Sequence, residues 1–180
     1  MLACFDIGGS SIKAAFAVSP SDLEVGSTLP TPLHDFDAFV AAMEHLIGDR
    51  RSATTGIALS ITGIIDPVSG ISTVANIPCI HQRTLQADLA HALKLPVFIA
   101  NDADCFILAE AIQGAGSGYR NVFGIILGTG VGGALVIDGR LVTGAGGFAG
   151  EWGHGTALQT EIGNPPVHFP HFSCGCGQKG

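Results

Sequence analysis

Charge is what this 180-residue chain has least of: 13% of its residues are Asp, Glu, Lys or Arg, about half the level usual in soluble domains. Eight residues are basic against 15 acidic, a net charge of -7, and the longest basic cluster is the pair Arg50-Arg51. Phosphate neutralisation needs clustered Lys and Arg, so this balance excludes an electrostatic nucleic-acid binder. Long hydrophobic runs are also missing. The apolar start Met1 to Phe5 has no basic flank, is cut off by Asp6 and is too short for a signal-peptide core. The most apolar stretch, Phe123 to Ile137, is interrupted by five glycines and is too short to span a bilayer. These absences lead to the expectation of a soluble cytoplasmic protein with no membrane partner, whose five cysteines are reduced unless they hold metal.

What the chain has in excess is glycine, 26 residues, in a sequence that is 47% hydrophobic. That is enough apolar material for one substantial core, or one core plus a smaller appendage, and too little for two full-sized domains. The glycines are uneven: 15 lie between Gly114 and Gly155 and seven precede Gly114. Before that point strand-like and helix-like runs alternate. Leu2 to Ile7 meets the Gly8-Gly9 turn and is followed by Ile12 to Val18 and Val25 to Leu29, an antiparallel meander. Phe36, Phe39, Val40, Met43, Leu46 and Ile47 recur at helical spacing behind Asp35, a good N-cap. A strand Thr55 to Ile61, a hairpin at Asp66 to Gly70, a helix behind Thr84, a strand Val97 to Ala100 and a helix 103–113 follow, giving an α/β or mixed-sheet domain. The loop Gly114 to Arg120 is the hinge candidate. After it the pattern restarts with Asn121 to Leu127, Ala134 to Ile137 and an Asp138-Gly139 turn into Leu141 and Val142. This coarse echo suggests two lobes of similar topology, the second only begun.

Four patterns carry chemistry. Asp6-Ile7-Gly8-Gly9-Ser10 sets a carboxylate at a strand end before a glycine turn with a hydroxyl. Amides in such a turn can line up on phosphate oxygens and Asp6 can hold Mg²⁺; an ordinary hairpin turn is the alternative. Leu127-Gly128-Thr129-Gly130-Val131-Gly132-Gly133 contains a literal G-x-G-x-x-G, but a dinucleotide fingerprint must open a helix. Ala134 to Ile137 reads as strand, which disfavours a Rossmann site and leaves a phosphate-gripping hairpin turn. Asn101-Asp102 lies at a strand-to-helix junction, where Asp102 is either a ligand-facing carboxylate or an N-cap. Lastly, Glu151-Trp152-Gly153-His154 and Cys174-Gly175-Cys176-Gly177 offer an imidazole and two thiolates. A structural zinc or unligated thiols would both suit them. His168 and His171 are spare ligands, while Cys4, Cys79 and Cys105 sit inside apolar runs and are expected in the core.

Taken in order, these motifs, with Asn76-Ile77-Pro78, resemble the sugar kinases of the ROK family over nearly the whole chain. Each motif is weak alone and the series is specific. Val74 to Pro78, Leu85 to Leu89 leading to Asn101-Asp102, and the long interval from His154 to Cys174 look most like the family's N-acetyl-D-glucosamine kinases. The resemblance implies the actin-like, ribonuclease H-like ATPase fold of hexokinase type, with an N-terminal lobe over 1–118 and the start of a second over 119–180. It implies phosphorylation of a hexose or N-acetylhexosamine by ATP, N-acetyl-D-glucosamine to its 6-phosphate being the best match. Asp102 would be the general base. Asp6, Gly8, Gly9, Ser10, Ser11, Gly128, Thr129, Gly130, Gly132 and Gly133 would hold ATP phosphates and Mg²⁺. Gly63, Asn76, Asn101, Asp102, Glu151 and His154 would bind the sugar. His154, Cys174 and Cys176 would hold structural zinc.

Phosphoryl transfer asks mainly for positioning and charge stabilisation, so two glycine turns and one aligned carboxylate form a sufficient kit. A neutral sugar needs no basic pocket, which suits the acidic chain. Ser10 stands where the family usually has Thr and keeps the hydroxyl. Thr62 replaces a usual Pro, which is expected to loosen that turn. Family members continue well past the equivalent of Gly180, beginning with a third zinc cysteine, so the chain reads as truncated and an inactive sugar-binding fragment is the alternative to a working kinase. The family's repressors carry a DNA-binding domain before the first glycine turn, and Asp6 is expected to leave no room for one. The resemblance implies a homodimer whose interface partly involves the missing part of the second lobe. It leaves open N-acetylglucosamine, N-acetylmannosamine or glucose.

Overall fold

The computed structural model describes residues 1–128, 131–154, 160–171 and 173. Strand alternation sets the first sheet. In β1 (Leu2–Ile7), Ala3, Phe5 and Ile7 point to the core while Cys4 and Asp6 take the opposite face. The same alternation buries Ile12, Ala14 and Phe16 of β2 (Ser11–Ser19) and Ile57, Leu59 and Ile61 of β4 (Gly56–Ile61). β3 (Asp22–Pro30) completes the antiparallel meander, and β4 and β7 (Val97–Asn101) add to β1 in parallel, giving the order β3-β2-β1-β4-β7.

Two helices cover the core face. α1 (Phe36–Ile47) begins at Asp35, whose side chain accepts from the Ala38 amide at 3.0 Å, and it packs on β2 and β3. α2 (Leu85–Leu93) packs on β7 through an apolar stripe of Leu85, Leu89 and Leu93. Phe39, Met43, Leu85 and Leu89 are fully buried, each worth about 2 kcal/mol by removal from water. Between β4 and α2, the short hairpin β5 (Ile64–Ile65) and β6 (Ser72–Thr73) closes through the Gly70 amide on the Asp66 carbonyl at 2.8 Å. α3 (Asp102–Gln113) follows β7 directly.

The chain forms two compact units, Met1–Cys105 and Phe106–Gly180. In the second, the glycine loop folds back on α3: the Gly116 amide donates to the Glu110 carbonyl at 3.0 Å. β8 (Asn121–Leu127) pairs antiparallel with β9 (Val131–Ile137), and β10 (Arg140–Leu141) follows through a turn with positive φ at Asp138 and Gly139. The order β10-β9-β8 repeats β3-β2-β1, as the echo in the sequence anticipates. A small hairpin, β11 (Glu161–Ile162) with β12 (Val167–His168), has no sequence signal because its strands are two residues long.

Two expectations are corrected. Cys4 and Cys105 are not core residues; all three cysteines are half-buried, Cys79 packs against the core, and Cys4 takes the face of β1 turned away from α1 and α2. β9 begins at Val131 and not Ala134, because Gly132 and Gly133 pair with Ile126 and Ile125 inside the ladder. No helix among the described residues is long and apolar enough to cross a membrane.

Candidate active site

Three parallel strands end level with one another. Ile7 of β1 is the register partner of Ile61 of β4, and Ile61 of Asn101 of β7. The segments after them, Gly8-Gly9-Ser10, Thr62-Gly63 and Asp102, therefore leave one edge of the sheet together. The carboxyl ends of parallel strands are where open α/β sheets bind ligands.

The first glycine turn is closed by the Gly8 amide on the Ser11 carbonyl at 3.0 Å, and Ser11 opens β2. Thr31, which is buried, holds the turn twice: its Oγ1 donates to the Gly8 carbonyl at 2.6 Å and its amide to the Ser10 carbonyl at 3.3 Å. A Cβ on Gly8 would meet nothing closer than the Ser11 carbonyl oxygen at 3.9 Å, so the fold does not itself demand glycine there. Asp6 lies beside the turn, paired with Lys13 Nζ at 3.2 Å and 3.5 Å from Ser60 Oγ.

The amide residues form a connected set. Asn101 Nδ2 donates to the Gly63 carbonyl at 2.8 Å, and its Oδ1 accepts from the amides of Ala103 and Asp104 at 2.8 and 3.3 Å. Asn101 thus caps α3, the role weighed for Asp102; the Asp102 carboxylate opens the helix, accepts from Ala103 at 2.9 Å and is half-buried. Burial pushes the Asp102 carboxyl above its ordinary value and the Asp6 charge adds to this, opposed by the amides of Ala103 and Asp102. Gly63 has φ 117°, and a Cβ there would lie 2.6 Å from the Thr73 carbonyl oxygen. Asn76 lies beside the first turn: a Cβ on Gly9 would come within 3.0 Å of its Nδ2. The expectation that Thr62 loosens its turn is overturned, since its Oγ1 donates to Asn76 Oδ1 at 3.1 Å and its amide to the Ile7 carbonyl at 3.4 Å. Proline could make neither bond.

In the second unit the glycine-rich run joins two antiparallel strands and opens no helix, which removes the dinucleotide reading. Gly128 has no described protein atom within 4 Å of its Cβ position, and for Gly132 the nearest is Ile126 Cβ at 3.9 Å. Gly133 differs. A Cβ there would lie 2.6 Å from the Gly124 carbonyl oxygen and 2.7 Å from Trp152 Nε1. Trp152 donates that Nε1 proton to the Gly132 carbonyl at 2.8 Å and sets its ring edge-on to Phe123. Glu151 is exposed, its amide on the Phe148 carbonyl at 3.4 Å. His154 ends the short turn Trp152–His154. Its side chain, Thr129, Gly130, Cys174 and Cys176 lie outside the described residues, so the zinc set has no geometry here. Among the described residues no cluster of His, Cys, Asp and Glu could hold a metal.

The ROK family model matches residues 2–180. The chain belongs to the ROK family. It is 38% identical over 179 residues to an N-acetylgalactosamine kinase from Shewanella sp. (strain ANA-3), covering 97% of this chain and 57% of that one. It is 38% identical over 179 residues to an N-acetyl-D-glucosamine kinase from Escherichia coli (strain CFT073), covering 98% and 59%. A ROK family glucokinase from Streptomyces griseus, solved with glucose and AMPPNP, superimposes with a TM-score of 0.80 at 26% identity, covering 99% of this chain and 55% of that one. The chain thus spans somewhat more than half the length of these ROK relatives, and its mixed α/β sheet order is that of the family's actin-like ATPase fold.

Thr31 is the site residue that motif reading passes over. Its signal is present: it stands between Pro30 and Pro32, which have no amide proton, so its own amide is the one backbone donor of that three-residue stretch. Ser60 is missed for a different reason, since strand alternation marks its face but not the register that sets it beside Asp6.

Proposed function

We propose that this chain carries the sugar site and phosphate turns of an ATP-dependent sugar kinase acting on a hexose or N-acetylhexosamine, with N-acetyl-D-glucosamine the preferred acceptor and its 6-phosphate the product. One observation carries the reading: the level ends of β1, β4 and β7 put Asp102, the Gly8-Ser10 turn and the amides of Asn76 and Asn101 on one edge of a parallel sheet. The names of the three relatives reported above, each a sugar kinase, support it.

In this reading Asp102 takes the proton from the attacking sugar hydroxyl, and its raised basicity suits that role. Asn76, Asn101 and Gly63, with Glu151 and His154, hold the other sugar oxygens. The turn 8–11 in the first unit and the turn 128–133 in the second are each suited to ATP phosphate, and Gly8, Gly128 and Gly132 fit this because the described chain does not fill their Cβ positions. Asp6 would hold the magnesium that accompanies ATP, which would neutralise phosphate charge. Transfer follows from alignment and charge stabilisation, and the protein makes no covalent bond of its own. Lobes 1–118 and 119–180, hinged at 114–120, belong to the same proposal. So does structural zinc at His154, Cys174 and Cys176, whose imidazole and thiolate donors suit that metal; with three ligands weak binding is the expected result, and one tight zinc per chain would show that His168 or His171 supplies the fourth.

ADP release dependent on N-acetylglucosamine is the direct test, with Asp102→Asn as the control; equal turnover in that variant defeats the assignment of the base. Sugar binding without transfer is the second reading. It is favoured by the grouping of Gly63, Asn76, Asn101 and Asp102 within one compact unit, and calorimetric titration with the sugar, without ATP, separates the two.

A further inference from the structure

Thr62 makes a bond that the family's usual proline cannot make, and the bond ends on a residue of the proposed sugar site. A side-chain amide has one accepting end and one donating end. Thr62 Oγ1 donates to Asn76 Oδ1 at 3.1 Å, which engages the accepting end and leaves Nδ2, a pure donor, for another molecule. That donor faces the first glycine turn. A Cβ on Gly9 would stand 3.0 Å from Nδ2 and 3.4 Å from Asn76 Cγ.

The base on which Thr62 sits is held from several sides. Its amide donates to the Ile7 carbonyl at 3.4 Å. Gly63, the next residue, accepts from Asn101 Nδ2 at 2.8 Å and is hemmed in by Thr73 and Val74. Val74 is in turn fixed by its amide, which donates to His81 Nδ1 at 3.1 Å. Both ends of the Thr62–Asn76 bond are therefore anchored before any ligand arrives.

We propose that Thr62 is a positioning residue, whose hydroxyl holds the Asn76 side chain in place at the seam between the sugar-binding residues and the Gly8-Ser10 turn, with Nδ2 toward that turn. The identity of the acceptor, a sugar oxygen, rests on the sugar-kinase reading; the held position does not. An amide fixed in advance spares the ligand the ordering of that rotamer. Without the hydroxyl, the Asn76 side chain loses the partner that holds it and is free to leave the position beside Gly9.

Two readouts test this on the whole chain. In the ligand-free ¹⁵N-labelled protein, the Asn76 side-chain NH₂ signals, assigned by their loss in Asn76→Asp, are expected to show Overhauser cross-peaks to the Gly9 α-hydrogens. Thr62→Val keeps the shape and lacks the hydroxyl, and in it these cross-peaks vanish; Thr62→Ser restores them. Cross-peaks that persist in Thr62→Val overturn the proposal whether or not the chain binds sugar. The second readout is affinity for N-acetylglucosamine by titration. Thr62→Val weakens it about three- to tenfold, the size of one neutral hydrogen bond, while Thr62→Ser stays close to the parent. Where turnover is measurable, KM for the sugar rises and kcat holds. Unchanged affinity in a Thr62→Val variant whose Asn76 side chain has left the position beside Gly9 also overturns the proposal. A parent chain that binds no sugar defeats the sugar-kinase reading and leaves the first readout to decide the role of Thr62. Should Thr62→Val disturb the backbone amide spectrum beyond its neighbours, the pair Thr62→Ser and Thr62→Ala makes the same comparison.

Discussion

Asn101 donates its Nδ2 to the Gly63 carbonyl oxygen at 2.8 Å while its Oδ1 caps α3, so one side chain both starts the helix that carries Asp102 and ties it to the turn after β4. Removing it is expected to be costly. Asn101→Ala loses the cap, about 1 kcal/mol, and the tie to Gly63, about another 1 kcal/mol. Urea denaturation should show a loss near that sum. Asn101→Asp keeps the accepting oxygen and should lose only about half as much; a loss equal to that of alanine would show that the cap contributes nothing.

Asp102 is expected to trade stability for activity. Its folded pKa is raised, by burial first and by Asp6 second, so the folded state holds the proton more tightly than the unfolded chain does. Stability linked to this group is full below the unfolded pKa and falls as pH rises through the folded one. Asp102→Asn cannot ionise and still accepts from Ala103. It should melt higher than the parent at neutral pH, the two converging in acid below about pH 4, with phosphotransfer down by about a hundredfold or more. The acid limb of the parent's rate profile should lie above the ordinary carboxylate range. A melting difference that grows in acid would reverse the sign and reject the account.

Thr31 holds the first glycine turn without facing outward. Thr31→Val preserves volume but leaves the Gly8 carbonyl without its 2.6 Å donor. A cost of about 1 kcal/mol in unfolding free energy is expected. The functional signature should be selective: KM for ATP rises about threefold or more, while KM for the sugar stays near the parent value, because Asn76 and Asn101 are tied elsewhere. Equal effects on both substrates would make Thr31 a general fold residue.

How far these features can be read from sequence depends on the range of the interaction that fixes each. The α1 stripe with its Asp35 cap, the meander, and the hairpin at Asp138-Gly139 are local, set by spacing and turn chemistry, and they appear where the pattern puts them. The Asp6, Gly8 and Asp102 motifs are also local, yet what brings them to one edge is the register of β1, β4 and β7, which no single segment encodes. The misjudged residues have the same cause. Thr62 reads as a weakened turn because its partner Asn76 is 14 positions away. Cys4 reads as core because an apolar run does not say which face is covered.

Glycine is the clearest case, because two kinds stand side by side in the motifs and sequence cannot tell them apart. Gly133 is glycine for the sake of the fold: an added Cβ would meet the Gly124 carbonyl oxygen at 2.6 Å and Trp152 Nε1 at 2.7 Å, both held in place, one by the β8–β9 ladder and one by its bond to Gly132. Gly133→Ala should therefore cost about 2–3 kcal/mol, the scale of overpacking against unyielding neighbours, and shift the indole fluorescence of Trp152, the chain's one tryptophan. Gly8 has no positive φ, and among the described residues beyond its chain neighbours no atom lies nearer than 3.9 Å to its Cβ position. Gly8→Ala should leave stability unchanged or raise it by a few tenths of a kcal/mol through the unfolded chain, while an added methyl beside the phosphate turn weakens ATP binding about tenfold or more. Thermal melts and nucleotide titrations of the two variants separate the cases. If Gly8→Ala instead lowers the melting temperature by several degrees and the folded variant binds nucleotide as the parent does, the turn serves the fold alone and the phosphate assignment at Gly8 fails.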